Sequence, residues 1–296
     1  MKNAIIFFYN IEPTELQEKK NAYSFYVDYE KYYLYKLMRP KSDIDAMLKI
    51  VNSHPKSFHK IIPNRIGEPT TKIENAYYIL IKILGPEHSE IDIRDILLNE
   101  IPYDEASVLD RSNWGALWSE KVDYLEYQVS ELAAPHPIIK KSFSYYVGLA
   151  ENAITYYNLL NHEKLPLYIS HRRIPDPPIS LDFYNPLNLI LDIRVRDIAS
   201  YYKIQFFNED FDRMLKEVDL LIEKDILSPL EYNLLFCRML YPSYYFDLLS
   251  QILEKDEDEQ SALKYIEKIS QYEKFLNEIW HRFSKKSSMI KIDWLI

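Results

Sequence analysis

The chain has 296 residues and a formal net charge of −9, with 47% hydrophobic and 27% charged residues. This composition is ordinary for a globular protein and is large enough for one large or two coupled domains. The acidic balance disfavours binding to nucleic acid or to an anionic membrane, and the single cysteine, Cys237, excludes an intrachain disulfide and any multi-cysteine metal site.

The first part of the chain carries the patterns of strands with one helix. Residues 4–9 form a short apolar run that predicts a strand. Residues 23–37 are rich in Tyr, Phe and Val around a polar turn, which predicts a hairpin. Ser42 then stands at the expected cap of a short helix with one apolar face.

A second pair of strands is predicted at residues 59–66 and 75–84, with a turn at residues 67–69 between them. The pattern stops abruptly at Leu84, Gly85 and Pro86, which is typical of a hinge between two lobes. We therefore expect a β-rich domain over residues 1–85.

Helical periodicity dominates residues 86–296, which we predict to form the second domain. The apolar positions recur every three or four residues on one face of each segment. The predicted helices fall at residues 91–97, 110–132, 138–162, 197 onward, 208–224, 228–253 with a break at Pro242, and 258–284.

The stretch from Ile169 to Lys203 contains both an apolar run typical of a strand and the beginning of a predicted helix. Its apolar run Leu187–Leu191 is bounded by Pro186 and Asp192, which predicts a buried strand with a carboxylate at its C-terminal end. A carboxylate in that position needs a partner or a metal ion. A salt bridge from Asp192 to Arg172, Arg194 or Arg196 is the alternative to a metal.

Two segments carry a family resemblance. Residues 144–157 (SYYVGLAENAITYY), and His171-Arg172-Arg173 together with Arg196-Asp197, resemble the aminoglycoside phosphotransferase and choline kinase-like superfamily. Within it, the chain is most similar to the spore-coat kinase-like branch of low-GC Gram-positive bacteria. The resemblance implies a two-lobed α+β protein-kinase-like fold, an N-lobe to residue 85 and a helical C-lobe beyond. It also implies association with the spore.

The resemblance implies ATP and Mg2+ as cofactors and assigns residues to them. Lys36 and Leu84 correspond to nucleotide-binding positions, and Asp192 corresponds to the metal ligand. Asn185 or Asn188 can replace a missing metal-binding Asn, unless Asn188 points into the core. Lys36 has a plain surface lysine as its alternative. The absence of a signal peptide and of a membrane span predicts a cytoplasmic protein.

The catalytic loop departs from the pattern of the superfamily. The active members have His-Gly-Asp, whereas this chain has His171, Arg172 and Arg173, and an arginine cannot serve as a base. The metal-binding Asn of the pattern falls on Pro178. No glycine precedes Gly67, so a glycine-rich phosphate loop is also missing.

These departures predict a catalytically impaired pseudokinase that binds a protein partner or a small molecule, or has a structural role. His171 then orders the loop, and Arg172 and Arg173 bind an anion or pair with nearby carboxylates. The alternative is an active small-molecule phosphotransferase in which Asp176 or Asp182 is a relocated base. A nucleotide-binding regulator without chemistry is the third possibility.

Overall fold

The computed structural model describes residues 1–160, 165–208, 211–255 and 257–295. Its residues cluster into two compact units. The predicted boundary at residue 85 stays a prediction. The first unit comprises Met1–Asp95, Ala106–Leu109 and His171–Ile190, and the second comprises Ile96–Glu105, Asp110–Ser170 and Leu191–Ile296.

The strands and helices follow one another in mixed α+β order. The strands are β1 (Thr14–Lys19), β2 (Ala22–Val27), β3 (Glu30–Lys36), β4 (Lys60–Ile62), β5 (Thr70–Ile73), β6 (Ala76–Lys82), β7 (Pro102–Tyr103), β8 (Leu167–His171) and β9 (Leu189–Ile193). The helices are α1 (Lys2–Tyr9), α2 (Lys41–Ser53), α3 (Ile93–Leu98), α4 (Trp114–Leu132), α5 (Pro137–Leu159), α6 (Ser180–Phe183), α7 (Val195–Asn208), α8 (Phe211–Glu223), α9 (Pro229–Leu240), α10 (Ser243–Lys255), α11 (Leu263–Ile266) and α12 (Ile269–Phe283).

The first unit is built on a six-stranded antiparallel sheet in the order β1-β2-β3-β6-β4, with β5 also paired to β6. The predicted hairpin at residues 23–37 is confirmed as β2 and β3. Its two-residue turn, Asp28 and Tyr29, has positive φ angles of 48° and 67°, which match the right-handed twist of the flanking strands. Alternation along β3 places Tyr33 and Tyr35 on the face opposite Tyr32.

Residues 4–9 were predicted as a strand, and this prediction is wrong because they belong to α1. Ile5 and Tyr9 are buried four positions apart, which is a helical repeat, and they pack against the sheet. Asn10 then takes a left-handed conformation with a φ of 56° and ends the helix. A short apolar run is compatible with either structure when only its length and hydrophobicity are known.

The second unit is mainly helical and also holds β7, β8 up to Ser170 and β9 from Leu191. The predicted break at Pro242 is confirmed, since α9 ends at Leu240 and α10 begins at Ser243. The predicted strand Leu187–Leu191 is displaced, because a 3-10 turn occupies residues 186–188 and β9 covers Leu189–Ile193. Asp192 therefore lies within the strand rather than after it.

None of the helices in the described residues combines the length and the apolarity that crossing a bilayer requires.

Candidate functional site

In the first unit, Asn188 ties together the two ends of the loop that follows β8. The Asn188 backbone carbonyl accepts a hydrogen bond from Arg172 N–H at 2.6 Å. The Asn188 side chain accepts from Arg173 N–H at 3.1 Å and donates to the Arg173 carbonyl at 2.5 Å. The amide that was predicted as a metal ligand is thus engaged within the loop itself, and its metal role stays a prediction.

His171 is buried at the start of the same loop, and its ring stacks on Phe183 of α6 with a centroid separation of 4.1 Å. Arg172 and Arg173 follow and are exposed. The loop therefore presents two guanidinium groups where the superfamily pattern has Gly and Asp. Such groups bind anions but do not accept a proton at ordinary pH.

The two carboxylates that were considered as relocated bases differ in environment. Asp176 is exposed, whereas Asp182 is half-buried in α6. Burial raises the pKa of Asp182, and the nearby positive charge of His88 acts in the opposite direction. A raised pKa brings a carboxyl group closer to the range that general acid–base catalysis uses.

Lys36 and Leu84, which were predicted to contact nucleotide, are both exposed in the first unit. Lys36 ends β3, and alternation places it on the face of Tyr32. The opposite face carries Tyr33 and Tyr35, whose rings stack at 5.4 Å. A nucleotide contact by either Lys36 or Leu84 stays a prediction.

Arg39 is a site residue that the sequence did not reveal. Its Nη1 donates to the carbonyls of Leu187 and Leu189 at 3.0 and 2.9 Å, and its Nη2 contacts Asp43 at 3.2 Å. Arg39 therefore anchors the segment that leads into β9 to the beginning of α2. The (i, i+4) spacing of Arg39 and Asp43 was visible in the sequence, but the hydrogen bonds from Arg39 to carbonyls 148 and 150 positions away were not.

In the second unit, Asp192 has 0% exposure, and donors occupy both of its carboxylate oxygens. Oδ1 accepts from Trp114 Nε1–H at 2.8 Å and from Ile193 N–H at 2.7 Å, and Oδ2 accepts from Arg196 Nη1. Burial raises the pKa of Asp192, whereas Arg196 and Arg238 lower it. The salt bridge to Arg196 is one of the alternatives that the sequence allowed.

Arg238 is a buried cation in the same region. Its guanidinium carbon lies 4.9 Å from the ring centroid of Trp114 and 5.3 Å from that of Trp118, within cation–π range. Trp118 in turn stacks on Tyr241 at 4.3 Å. Burial lowers the pKa of Arg238 to about 10. The apolar run around Arg238 indicated a buried helix but gave no sign of a buried cation.

The family of the chain follows from comparison with known proteins. The family model described as "Spore coat putative kinase YutH" matches residues 2–279. The chain belongs to this family. It is also similar to the endospore coat-associated protein YutH of Bacillus subtilis (strain 168), with 28% identity over 264 residues that cover 77% of each chain. The resemblance to a spore-coat kinase-like branch is therefore confirmed.

Solved structures confirm the predicted α+β kinase-like fold of this YutH family member. An aminoglycoside phosphotransferase from Alicyclobacillus acidocaldarius is similar with a TM-score of 0.69 and 10% identity, over 96% of this chain and 97% of that one. Spectinomycin phosphotransferase APH(9)-Ia, in complex with ADP and spectinomycin, is similar with a TM-score of 0.51 and 11% identity, over 90% and 93%. At such identities the likeness concerns the fold alone.

Proposed function

We propose that the chain is a catalytically impaired kinase-fold protein that acts in the spore coat by binding a partner or by a structural role. The observation that carries this proposal is the environment of Asp192. Mg2+ requires carboxylate oxygens with free lone pairs and usually retains several waters. A carboxylate with 0% exposure that already accepts from Trp114, Ile193 and Arg196 does not fit such an ion.

The loop of the first unit supports the same function. Arg173 stands in the position of the base, and Pro178 stands in the position of the metal-binding Asn. Asn188, the nearby replacement, has its amide engaged with the Arg173 backbone. Phosphoryl transfer depends chiefly on positioning and on metal electrostatics, and these are the two contributions that the loop and Asp192 lack.

The β1–β2 hairpin supports it as well. In kinases a glycine-rich loop covers the phosphates of the nucleotide. Here Lys19 pairs with Ala22, so the hairpin closes through only two residues, Lys20 and Asn21. Such a short turn without glycine does not offer the row of backbone N–H groups that cradles a phosphate.

Two measurements on the purified protein test this proposal. The first is acceptor-dependent release of ADP over sugars, aminoglycosides, choline and amino alcohols, and we expect none above the acceptor-free background. The second is the melting temperature with ATP and MgCl2 added separately and together. A ligand at about a hundred times its Kd would stabilise the native state by about 2.7 kcal/mol, and we expect no such stabilisation by MgCl2 alone. Acceptor-dependent ADP release would overturn the proposal.

An active phosphotransferase with Asp182 as relocated base is the second candidate, and the raised pKa of this half-buried carboxyl group favours it. It predicts turnover that disappears in Asp182→Ala and survives in Arg173→Ala. The exposed Asp176 offers a matched control, because Asp176→Ala should leave such turnover unchanged if Asp182 is the base.

The same two measurements distinguish a nucleotide-binding regulator from a pseudokinase and from an active phosphotransferase. A regulator predicts stabilisation by ATP without release of ADP in the presence of any acceptor. Spectinomycin phosphotransferase, which is similar in fold, was solved in complex with ADP. Adenine nucleotides are therefore the ligands to test.

The place of action is tested in the organism that makes the protein. We expect an epitope-tagged copy to fractionate with extracted spore-coat proteins rather than with the soluble spore interior. Cross-linking of the coat fraction before extraction would identify a partner as a tagged species of higher mass. A tagged copy found only in the soluble fraction would contradict the proposed location.

A further inference from the structure

A buried histidine in the first unit connects two segments that are far apart in the chain. His59 is 1% exposed. Its Nδ1 lies 3.2 Å from the backbone nitrogen of Leu84, and its Nε2 lies 3.2 Å from the carbonyl oxygen of Leu181. The His59 backbone N–H also donates to the carbonyl of Tyr184 at 3.0 Å. We call Leu84, His59 and Leu181 the imidazole clasp.

The partners of the ring fix its protonation state. A backbone N–H can only donate, so Nδ1 must accept from Leu84 and carries no proton. The Leu181 carbonyl can only accept, so the proton of the neutral ring lies on Nε2 and points at Leu181. The clasp therefore requires one tautomer of the neutral imidazole. A protonated ring would carry N–H groups on both sides, and one of them would oppose the Leu84 N–H.

Neighbouring hydrogen bonds show which part of the chain would be released if the clasp opened. Leu181 N–H donates to the Glu87 carbonyl at 3.0 Å, and Ser180 N–H donates to the Ser89 carbonyl at 2.9 Å. These bonds hold residues 86–89 against α6 independently of the histidine. Leu84 has no such second bond through its N–H, and Gly85 follows it with a φ of 92°. Loss of the clasp would thus free the chain at Leu84 while the later contacts persist.

We propose that the imidazole clasp is a pH-sensitive switch, in which protonation of His59 releases Leu84 from α6 while the sheet of the first unit stays folded. The switch is independent of whether the chain is an enzyme. It acts at Leu84, which the sequence pattern predicted as part of a hinge. Protonation of His59 is the chemical event that would release this residue.

The neighbouring groups set the direction of the titration. Burial lowers the pKa of His59, while its carbonyl contacts and the charge of Glu87 raise it by smaller amounts. Glu87 itself accepts from the Tyr33 hydroxyl at 2.6 Å, and the Tyr184 ring lies edge-on to the imidazole at 6.0 Å. Asp182 and His88, which attract each other, adjoin these contacts in the chain. Protonation should therefore occur below the ordinary histidine range of about 6.5.

Amide hydrogen exchange measured by NMR on the full chain tests the switch. Exchange rates are corrected for the intrinsic effect of pH and expressed as protection factors. We expect the protection of Leu84 N–H to fall several-fold between roughly pH 7.5 and pH 5, because the ring takes up a proton more readily once Leu84 is released. Leu34, in the centre of the same sheet, should keep its protection, which separates local release from global unfolding.

Two variants keep the test decisive. His59→Asn places an amide oxygen near the position of Nδ1, so it can accept from Leu84 at every pH, and its protection should not depend on pH. Glu87→Gln removes a charge that favours the protonated ring, so the release should move to lower pH. His281→Asn, at an exposed histidine, is the matched control and should behave as wild type. Equal Leu84 protection at both pH values in the wild type, or a pH-dependent loss that persists in His59→Asn, would overturn the proposal.

Discussion

Trp114 donates its indole N–H to the carboxylate of Asp192 at 2.8 Å, which joins the first residue of α4 to a strand 78 residues later in the chain. Arg196 holds the other oxygen of the same carboxylate. A buried charge is tolerated when it is both paired and hydrogen-bonded. The residue that the family resemblance assigns to a metal is therefore an anchor of the second unit.

The first prediction concerns Arg196, the cation that pairs with the buried Asp192 carboxylate. Arg196→Ala removes the partner of a fully buried carboxylate, and leaving such a charge unpaired typically costs about 3–5 kcal/mol. We expect the free energy of unfolding to fall by that amount at neutral pH. Urea unfolding, followed by tryptophan fluorescence, measures the change.

Arg213→Ala is the matched control for Arg196→Ala. Arg213 pairs with Glu217 at the same (i, i+4) spacing, but its side chain is 60% exposed and the separation is 4.0 Å. Exposed pairs of this kind contribute about 0–1 kcal/mol. Similar losses in the two variants would show that Asp192 does not depend on Arg196 for its burial.

The second prediction compares two glycines within helices. A Cβ added at Gly115 in α4 would come within 3.1 Å of the Tyr157 ring and 2.8 Å of Asn158 Oδ1. The Tyr157 ring has little room to yield, because it packs against Trp114 and Trp118. We expect Gly115→Ala to destabilise the protein by about 1–3 kcal/mol, the usual cost of overpacking.

Gly148 in α5 provides the opposite case. A Cβ at Gly148 meets nothing within 4 Å. Alanine is favoured over glycine in a helix interior by roughly 0.5–1 kcal/mol, so Gly148→Ala should raise the melting temperature. Thermal unfolding of both variants checks the pair, and a stabilised Gly115→Ala would show that α4 and α5 can separate at little cost.

Local patterns predicted much of the fold. The β2–β3 hairpin and the helix break at Pro242 depend on alternation and on proline, which act over a few residues. Residues 4–9 were assigned incorrectly because a helical repeat cannot be distinguished from a strand repeat in a six-residue run that is apolar throughout. The short strands β1 and β5 were missed, since their membership of the sheet depends on partners elsewhere in the chain.

The candidate site was less predictable than the fold. The assignment of Arg172 and Arg173 to the places of Gly and Asp in a catalytic loop depends on the family resemblance and stays a prediction. The sequence did not identify Trp114 as a partner of Asp192, or Arg39 as a clamp on distant carbonyls. These contacts join residues 78 to 150 positions apart. A local periodic pattern in the sequence does not predict contacts over such separations.

The third prediction concerns pH and the buried lysine of α7. Lys203 donates to the carbonyls of Arg238 and Tyr241 and to the Ser243 hydroxyl at 2.8–3.1 Å. Burial lowers the pKa of Lys203 well below its usual range, and the charges of Arg238 and Arg196 add to this effect. Between the lowered pKa and about 10.4, the unfolded chain therefore binds more protons than the folded one.

Lys203 therefore contributes a stability that rises with pH across that window, whereas the buried tyrosines, whose pKa values are raised by burial, contribute one that falls as the pH nears 10. Urea unfolding from about pH 7.5 to pH 9 measures the slope, because tyrosines of the unfolded chain, with an ordinary pKa of about 10, are still largely protonated there. Lys203→Met should reduce the slope, whereas Lys216→Met, at an exposed position of α8, should not. An unchanged slope in Lys203→Met would mean that Lys203 keeps its proton in the folded protein.

The last prediction asks whether one residue accounts for the proposed loss of activity. Arg173→Asp restores a carboxylate at the position of the base. General base catalysis contributes about a hundred- to ten-thousand-fold, so a protein that lacked only the base should gain measurable transfer. We expect no gain, because Asp192 remains occupied by Trp114, Ile193 and Arg196 and the β1–β2 turn remains two residues long. Acceptor-dependent ADP release is the measurement, and Arg172→Asp is the control for the change of charge. If Arg173→Asp alone produces turnover, then Asp192 must be able to leave its partners and bind Mg2+, and the chain is a phosphotransferase that lacks a single group.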